Sequence, residues 1–344
     1  MATFSRLVRF LAKDGRTYYG DAILPASTTA IEQAQQARVI KGDIFGAHSV
    51  TDEVKDIRLL LAPLAPEDVK TVRCLGLNYA EHAREVRISR DAFLHSHCPI
   101  LPTYTILLSS SPLLKLQISP ISTLEPYQNR AAANQTQPHQ SKMPIPKYPV
   151  VFYKPATSLS GPTDAIPIHA MAQEGTGLDY ECELVVVIGK ACADVPEARA
   201  LDYVLGYAVG NDVSHREWQI QRGGGQWSLG KGFDGWAPWG PGIVSASLIQ
   251  DPQALRIGTT LNGVQVQESN TRDQIFGVAQ TIAFLSQGTT LLPGDLIFTG
   301  TPQGVGMGRT PQLWLRDGDR VQVGVEGIGA CTNTVEFTKP KAKL

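Results

Sequence analysis

No apolar run in this 344-residue sequence approaches the roughly 20 residues that a bilayer-crossing helix requires. The first residues, MATFSRLVRFLAKDGR, alternate Val8, Phe10 and Ala12 like a strand and contain no secretory h-region. An intracellular chain with no membrane partner is expected. Excess charge of either sign is also lacking: 31 Lys+Arg stand against 32 Asp+Glu, for a net charge of -1. No global field draws the chain to nucleic acid, and a small molecule is the expected partner. Cysteine is scarce and odd in number (Cys74, Cys98, Cys182, Cys192, Cys331), with no CxxC spacing. That excludes a disulfide framework and a zinc cage and favours a reducing compartment. There is no GxSxG elbow, no GxGxxG directly after a strand and no P-loop, so serine hydrolases and nucleotide enzymes are set aside.

One block lacks glycine altogether. Residues 87–141 hold none of the chain's 32 glycines, where an even spread would place about five. Their only acids are Asp91 and Glu125, and Ser, Leu, Pro and Gln dominate. With neither strand alternation nor a helical stripe, the block reads as a disordered insertion.

At 42% hydrophobic and 18% charged, the rest can bury a sizeable core. Residues 1–66 combine a strand-like start, the turn Lys13-Asp14-Gly15 and a helix-like AIEQAQQARVIKG ending at Gly42, which predicts a small N-terminal α+β domain. From Val72 onward, short β-branched runs alternate with Gly, Pro and Asn turns: TVRCLGLNY, YPVVFYKP, YECELVVVIG, DLIFTGTP and RVQVGVEGIG. The expectation is an α+β, mostly β catalytic domain over 67–338, interrupted at 87–141, with a basic tail at 339–344. Helices are predicted at PEARALDYV near position 200 and at TRDQIFGVAQTIAFLSQG, where Ile275, Val278, Ile282 and Leu285 recur at helical spacing. The compartment expected is the cytoplasm. The terminal Ala342-Lys343-Leu344, which resembles a peroxisomal tripeptide, makes the peroxisome one alternative and the mitochondrion is another.

The most informative stretch is LDYECELVVVIG, with acids at Asp179, Glu181 and Glu183. Strand alternation places all three on one face. Carboxylates so arranged resist burial unless a cation neutralises them or water bathes them. A second strand-like run, GYAVGNDVSHREWQ, ends at Asp212 and can add another carboxylate. All-oxygen ligation suits Mg²⁺ or Mn²⁺, whereas zinc would favour His or Cys. A solvated strand face explains the same spacing.

Six segments in order carry a resemblance: GLNYAEHARE, FYKPATSLSGP, LDYECELVVVIGK, GNDVSHREWQ, LGKGFDGWAPWGP and PGDLIFTGTPQGVG. Together they resemble the catalytic domain of the fumarylacetoacetate hydrolase family, across Val72 to Phe337 apart from the insertion. REWQIQRGGGQWSLGKGFD is similar to the subgroup that contains oxaloacetate tautomerases and acylpyruvases. The resemblance implies a mixed β-sandwich roll, a homodimer, and Mg²⁺ (with Mn²⁺ or Ca²⁺ as alternatives) held by Glu181, Glu183 and Asp212. It implies that His82 and Glu85 lie on a lid helix that activates water. It also places Lys154 and Lys231 in the site and makes Thr301 and Gly300 part of a substrate-binding turn. Each has a plainer reading: a surface helix contact for the His-x-x-Glu pair, solvated lysines, and an ordinary Gly-Pro turn.

The function then expected is Mg²⁺-dependent keto-enol tautomerisation of a small 2-oxo acid with a second carbonyl, such as oxaloacetate. C–C bond hydrolysis and oxaloacetate decarboxylation are the alternatives, in a specialised biosynthetic pathway or outside one. A catalytically silent scaffold, its lid disturbed by the insertion two residues past Glu85, is the reading from another class.

Overall fold

The computed structural model describes residues 4–85, 146–174 and 177–339. The expected insertion at 87–141 and all but the first residue of the basic tail lie outside them.

Eighteen strands are described. The N-terminal four are β1 (Arg6–Ala12), β2 (Thr17–Ile23), β3 (Gln36–Gly42) and β4 (His48–Leu60). Next come β5 (Val72–Gly76), β6 (Val150–Lys154), β7 (Leu159–Ser160), β8 (Ile166–Ile168), β9 (Leu178–Asp179), β10 (Cys182–Ile188), β11 (Val204–Asn211), β12 (Ser214–His215) and β13 (Ala237–Ser245). The last are β14 (Arg256–Leu261), β15 (Val264–Asn270), β16 (Leu296–Phe298), β17 (Arg320–Val325) and β18 (Gly329–Phe337). An 11-stranded sheet runs β2-β3-β4-β1-β13-β11-β10-β16-β5-β6 with β7 beside β13, and a 5-stranded sheet runs β15-β14-β17-β18-β8. The mostly β class expected from the sequence is what forms.

The large sheet is covered on both faces at its central strands β10, β11 and β13, though not at β2 and β4, and β10 shows why its sequence reads as an unbroken apolar run. Its seven residues CELVVVI are all buried. Cys182, Leu184, Val186 and Ile188 enter one core cluster together with Ile257, Val321, Val323 and Val335 of the small sheet. Val185 and Val187 enter another with Phe298, Trp239, Cys74 and Phe152. A strand buried on both sides needs no polar alternation.

Two local expectations fail. AIEQAQQARVIKG forms a 3-10 turn at Ile31–Gln33 and then strand β3, not a helix. Within β3, Ala37 and Val39 are buried between exposed Gln36 and Arg38, a period of two, and pairing on both sides to β2 and β4 overrides local helix preference. The N-terminal segment is therefore β rather than α+β over its described residues, and pairing of β1 with β13 makes it an extension of the large sheet. Near position 200, Glu197–Tyr203 is a 3-10 helix, and the later α-helix is confined to Val278–Leu285. Ile275 stays outside that helix because its N–H donates to the Asn78 carbonyl (2.7 Å). The first helical N–H, of Val278, is taken by Gln253 Oε1 (2.7 Å).

Candidate active site

Antiparallel register assembles the site. β10 begins where β11 ends: Cys182 pairs with Asn211 and Glu183 with Gly210. Asp212, one residue beyond β11, therefore falls beside Glu181, and its N–H donates to the Glu181 carbonyl (2.9 Å). Glu183 points to the face of Val185 and Val187, by the parity that sends Cys182 and Leu184 the other way. Carboxylate oxygens of Glu181, Glu183 and Asp212 come within 4.8 Å of one another, all buried.

Asp179 does not join them. The strand breaks at Tyr180-Glu181, and Asp179 accepts from Arg216 Nε (2.9 Å) and from the amides of Gly306 (2.6 Å) and Met307 (3.0 Å). The expectation of three acids acting from one strand face thus holds for two. Tyr180 and Cys182 are fully buried; Cys182 packs in the core on the face of Leu184, and the Tyr180 hydroxyl donates to the Gly304 carbonyl (3.0 Å).

Three cations serve this cluster unequally. Arg216 Nη1 lies 2.6 Å from Glu181 Oε1 while its Nε serves Asp179. Lys231 Nζ reaches Glu181 Oε2 (3.0 Å), Asp212 Oδ2 (2.6 Å) and Ser214 Oγ (2.7 Å), which uses all three of its hydrogens. Lys154 Nζ donates to Asp212 Oδ1 (2.6 Å) and to the carbonyls of Val213 (3.3 Å) and Lys231. Lys154 is therefore spent on the protein, where it fixes Asp212. Among the described residues Glu183 meets no cation: Oε2 accepts from the Gly300 N–H (2.7 Å) and the buried Oε1 has no partner there.

The titration behaviour follows. Burial pushes the Glu183 carboxyl well above its ordinary range, and the neighbouring Asp212 and Glu181 carboxylates push it further. Burial acts the same way on Glu181, but Lys231, Arg216 and His82 outweigh it and hold that group below the carboxylate range. Lys231 is disfavoured by burial yet raised overall by Asp212 and Glu181, so it stays an ammonium rather than a base. Three close carboxylates, one of them without a positive partner and with an orphaned oxygen, fit a hard divalent cation. No sulfur or imidazole belongs to the group, so a zinc-type donor set is not what the chain offers.

The lid residues arrive by a different route. Asn78 clamps the segment before them, accepting from Phe276 N (2.8 Å) and donating to the carbonyls of Phe276 (3.0 Å) and Thr299 (2.7 Å). Residues 80–85 are helical, which sets His82 and Glu85 on one side of one turn. His82 is buried, and its Nδ1 lies 3.6 Å from Glu85 Oε2, an ion-pair separation rather than a hydrogen bond. Glu85 is pinned by the Gly304 N–H (3.0 and 3.1 Å to its two oxygens).

In the turn after β16, Gly300 adopts φ +94°, and a Cβ there would stand 2.7 Å from Asn78 Cβ, so only glycine fits. Its amide, expected to receive a substrate carboxylate, donates to Glu183 instead. Thr301 Oγ is held by Gln267 Nε2 (2.9 Å).

Sequence reasoning missed Arg216, Asp179 as its anchor, Asn78 and Gln267. Arg216 stood in view four residues after Asp212 in GNDVSHREWQ, but only the folded contact reveals that it serves two acids. Asp179 joins Arg216 to the loop at Gly306 and Met307, two residues beyond the amide that holds Glu85. Asp179→Asn should therefore loosen that loop, read as faster amide exchange at Gly306 and Met307, and slow turnover by roughly 10-fold through a poorly seated Glu85.

A family model described as fumarylacetoacetate (FAA) hydrolase C-terminal matches residues 124–336, more than half of the chain. The chain belongs to the fumarylacetoacetate hydrolase family. Members of this family are enzymes, isomerases and hydrolases among them. Over 191 residues the chain is 53% identical to a Burkholderia lata protein provisionally named a hydrolase, covering 55% of this chain and 66% of that protein. The match thus spans just under two thirds of the curated relative. Among solved structures, 2-hydroxyhepta-2,4-diene-1,7-dioate isomerase from Mycobacterium marinum is similar over 97% of this chain and 99% of that one, at 31% identity and TM-score 0.68. A fumarylacetoacetate hydrolase from psychrophilic Exiguobacterium antarcticum is similar over 97% and 99%, at 28% identity and TM-score 0.63. Among the described residues no helix is long and apolar enough to cross a membrane, and the four cysteines Cys74, Cys182, Cys192 and Cys331 are buried and free.

Proposed function

We propose that this family member is a Mg²⁺-dependent enzyme acting on a small 2-oxo acid with a second carbonyl, with keto-enol tautomerisation of oxaloacetate as its reaction. The observation that carries the reading is the buried trio Glu181, Glu183 and Asp212, with a partnerless carboxylate oxygen at Glu183. A hard divalent cation held there would supply Lewis-acid stabilisation for negative charge on the oxygens of a 2-oxo acid. The chain's own residues account for the rest. Lys231 is a permanent, buried positive charge beside Glu181 and Asp212, and it favours substrate anions in a cleft of low dielectric. His82, buried and with Nδ1 turned to Glu85 Oε2, takes the C3 proton on its other ring nitrogen and returns it to oxygen. Glu85, 3.6 Å away, favours the imidazolium that forms meanwhile.

C–C bond hydrolysis is the second reading, favoured by the same pair. If His82 draws a proton from water instead of carbon, the hydroxide attacks the second carbonyl and an enolate departs. The isomerase name of a neighbour at 31% identity supports the first reading and the hydrolase name of one at 28% the second. Homodimer assembly, cytoplasmic location and independence from nucleic acid and membranes belong to the proposal as well.

The deciding experiment is an ultraviolet assay of enol oxaloacetate and of acetylpyruvate, each with Mg²⁺ and with EDTA, on the full chain and on a version lacking residues 87–141. Loss of the enol absorbance with Mg²⁺ alone, faster than the uncatalysed rate, is the expected result for oxaloacetate. Inactivity of both versions on both substrates would favour the silent scaffold.

A further inference from the structure

We propose that Gln267 is a positioning residue that makes the Thr301 hydroxyl a dedicated hydrogen-bond donor for an ionised carboxylate oxygen of the substrate. The inference deepens the reading above and rests on it. Gln267 lies on β15 in the small sheet, 1% exposed, and all four hydrogen-bonding positions of its amide are taken. Oε1 accepts from the Cys182 N–H (3.1 Å) and from Thr259 Oγ1 (2.7 Å). Nε2 donates to Thr301 Oγ1 (2.9 Å) and to the Pro302 carbonyl (2.9 Å).

The orientation of this amide follows from its partners. A backbone N–H can only donate and a backbone carbonyl can only accept, so rotating the amide by 180° would set N–H against N–H at Cys182 and oxygen against oxygen at Pro302. Nε2 therefore faces Thr301, and Thr301 Oγ is the acceptor in that contact. Its own hydrogen is directed elsewhere, and no acceptor for it occurs among the described residues. A buried hydroxyl with its lone pair engaged and its hydrogen free is biased towards anions. It would bind a carboxylate and give little to an amide nitrogen that also carries only hydrogens.

The same side chain also sets where that donor stands. Cys182 lies between Glu181 and Glu183, so one amide ties the substrate turn to the strand that bears the acids. The distance between cation-binding oxygens and carboxylate-binding hydroxyl is thereby fixed by a residue from a different sheet.

Gln267→Glu tests this, because a carboxylate keeps the shape and can still accept from Cys182 and Thr259 but cannot donate. The Thr301 hydroxyl would then turn its hydrogen to Glu and lose it for substrate. With oxaloacetate as the probe, KM should rise roughly 10- to 100-fold, with kcat within about 3-fold and calorimetric Mg²⁺ affinity unchanged. Thr301→Val should raise KM similarly, and Gln267→Glu should add nothing in the Thr301→Val background. If the glutamate variant fails to fold, Gln267→Met serves in the same cycle, with a smaller KM rise that is again absent beside Thr301→Val. Should the two substitutions multiply, or should Gln267→Glu lower kcat and Mg²⁺ binding with KM untouched, Gln267 only braces the fold. If Thr301→Val leaves KM unchanged, the reading of Thr301 as a carboxylate site fails and takes the proposal with it.

Discussion

Glu183→Gln should raise the melting temperature of the metal-free protein and, in the same molecule, sharply lower its activity. Glu183 is buried beside two other carboxylates with a single amide for company, so its charge weakens the fold unless a cation is bound. Glutamine keeps the shape and the Gly300 contact, and its NH₂ can donate to the neighbouring acids. Glu181→Gln should do the reverse to stability. That residue neutralises Arg216 and Lys231 in the interior, and breaking a buried pair costs about 3–5 kcal/mol. Both variants should lose Mg²⁺ affinity by calorimetry, and turnover by on the order of 10³-fold. Two glutamates two residues apart would thus have opposite effects on the metal-free fold and the same effect on function. Equal destabilisation by both would mean that Glu183 is not the strained member of the cluster.

The pH dependence carries the same signature. A carboxyl raised in the folded state binds its proton more tightly folded than unfolded, so its contribution to stability is greatest at low pH. That contribution fades as pH rises from the ordinary carboxylate value through the raised folded one. Glu181, lowered when folded, adds stability above its ordinary value that is lost as pH falls. In EDTA the melting temperature should therefore decline as pH climbs beyond the carboxylate range, and Glu183→Gln should flatten that decline. Saturating Mg²⁺ should remove it too, while adding about 2.7 kcal/mol at a hundredfold excess over Kd. A decline that persists unchanged in Glu183→Gln would assign it to another group.

What was legible in the sequence was whatever lies on one element. Glu181 and Glu183 share a strand, His82 and Glu85 share a helical turn, and Asp212 closes an apolar strand. Each local pattern survives folding because period two or 3.6 fixes which side chains are neighbours. Asp179 was misread because the alternation argument assumes an unbroken strand, and the chain breaks at Tyr180-Glu181. The AIEQAQQARVIKG segment was misread for the opposite reason: its residues tolerate a helix, and two flanking strands claim them. Gln267 gave no signal at all, and Asn78, although it stands in GLNYAEHARE, gave none of its clamping role, since partners lie 34 and 85 residues away for the first and 221 for a contact of the second. Such residues become visible only once hydrogen-bond partners can be named.

Lys231→Met should separate binding of the cation from its use. In the metal-free protein the Lys231 ammonium lies between Glu181 Oε2 and Asp212 Oδ2, on oxygens that a divalent ion would share. Binding of the ion therefore competes with that contact and also meets a like charge a few ångströms away. Methionine has much the same length, packs against Phe152, whose ring centre now lies 4.9 Å from Nζ, and carries no charge. Mg²⁺ affinity should rise by about tenfold or more, because repulsion between unit and double charges at such range is worth several kcal/mol even at an effective dielectric of about 20. Turnover should nevertheless fall by on the order of 10³-fold, because the fixed positive charge that favours substrate anions is gone. Calorimetry and the ultraviolet assay on one preparation would show the two changes together. A loss of both affinity and turnover would place Lys231 among the groups that hold the cation cluster in shape, and would leave the anion-stabilising charge to be sought at Arg216.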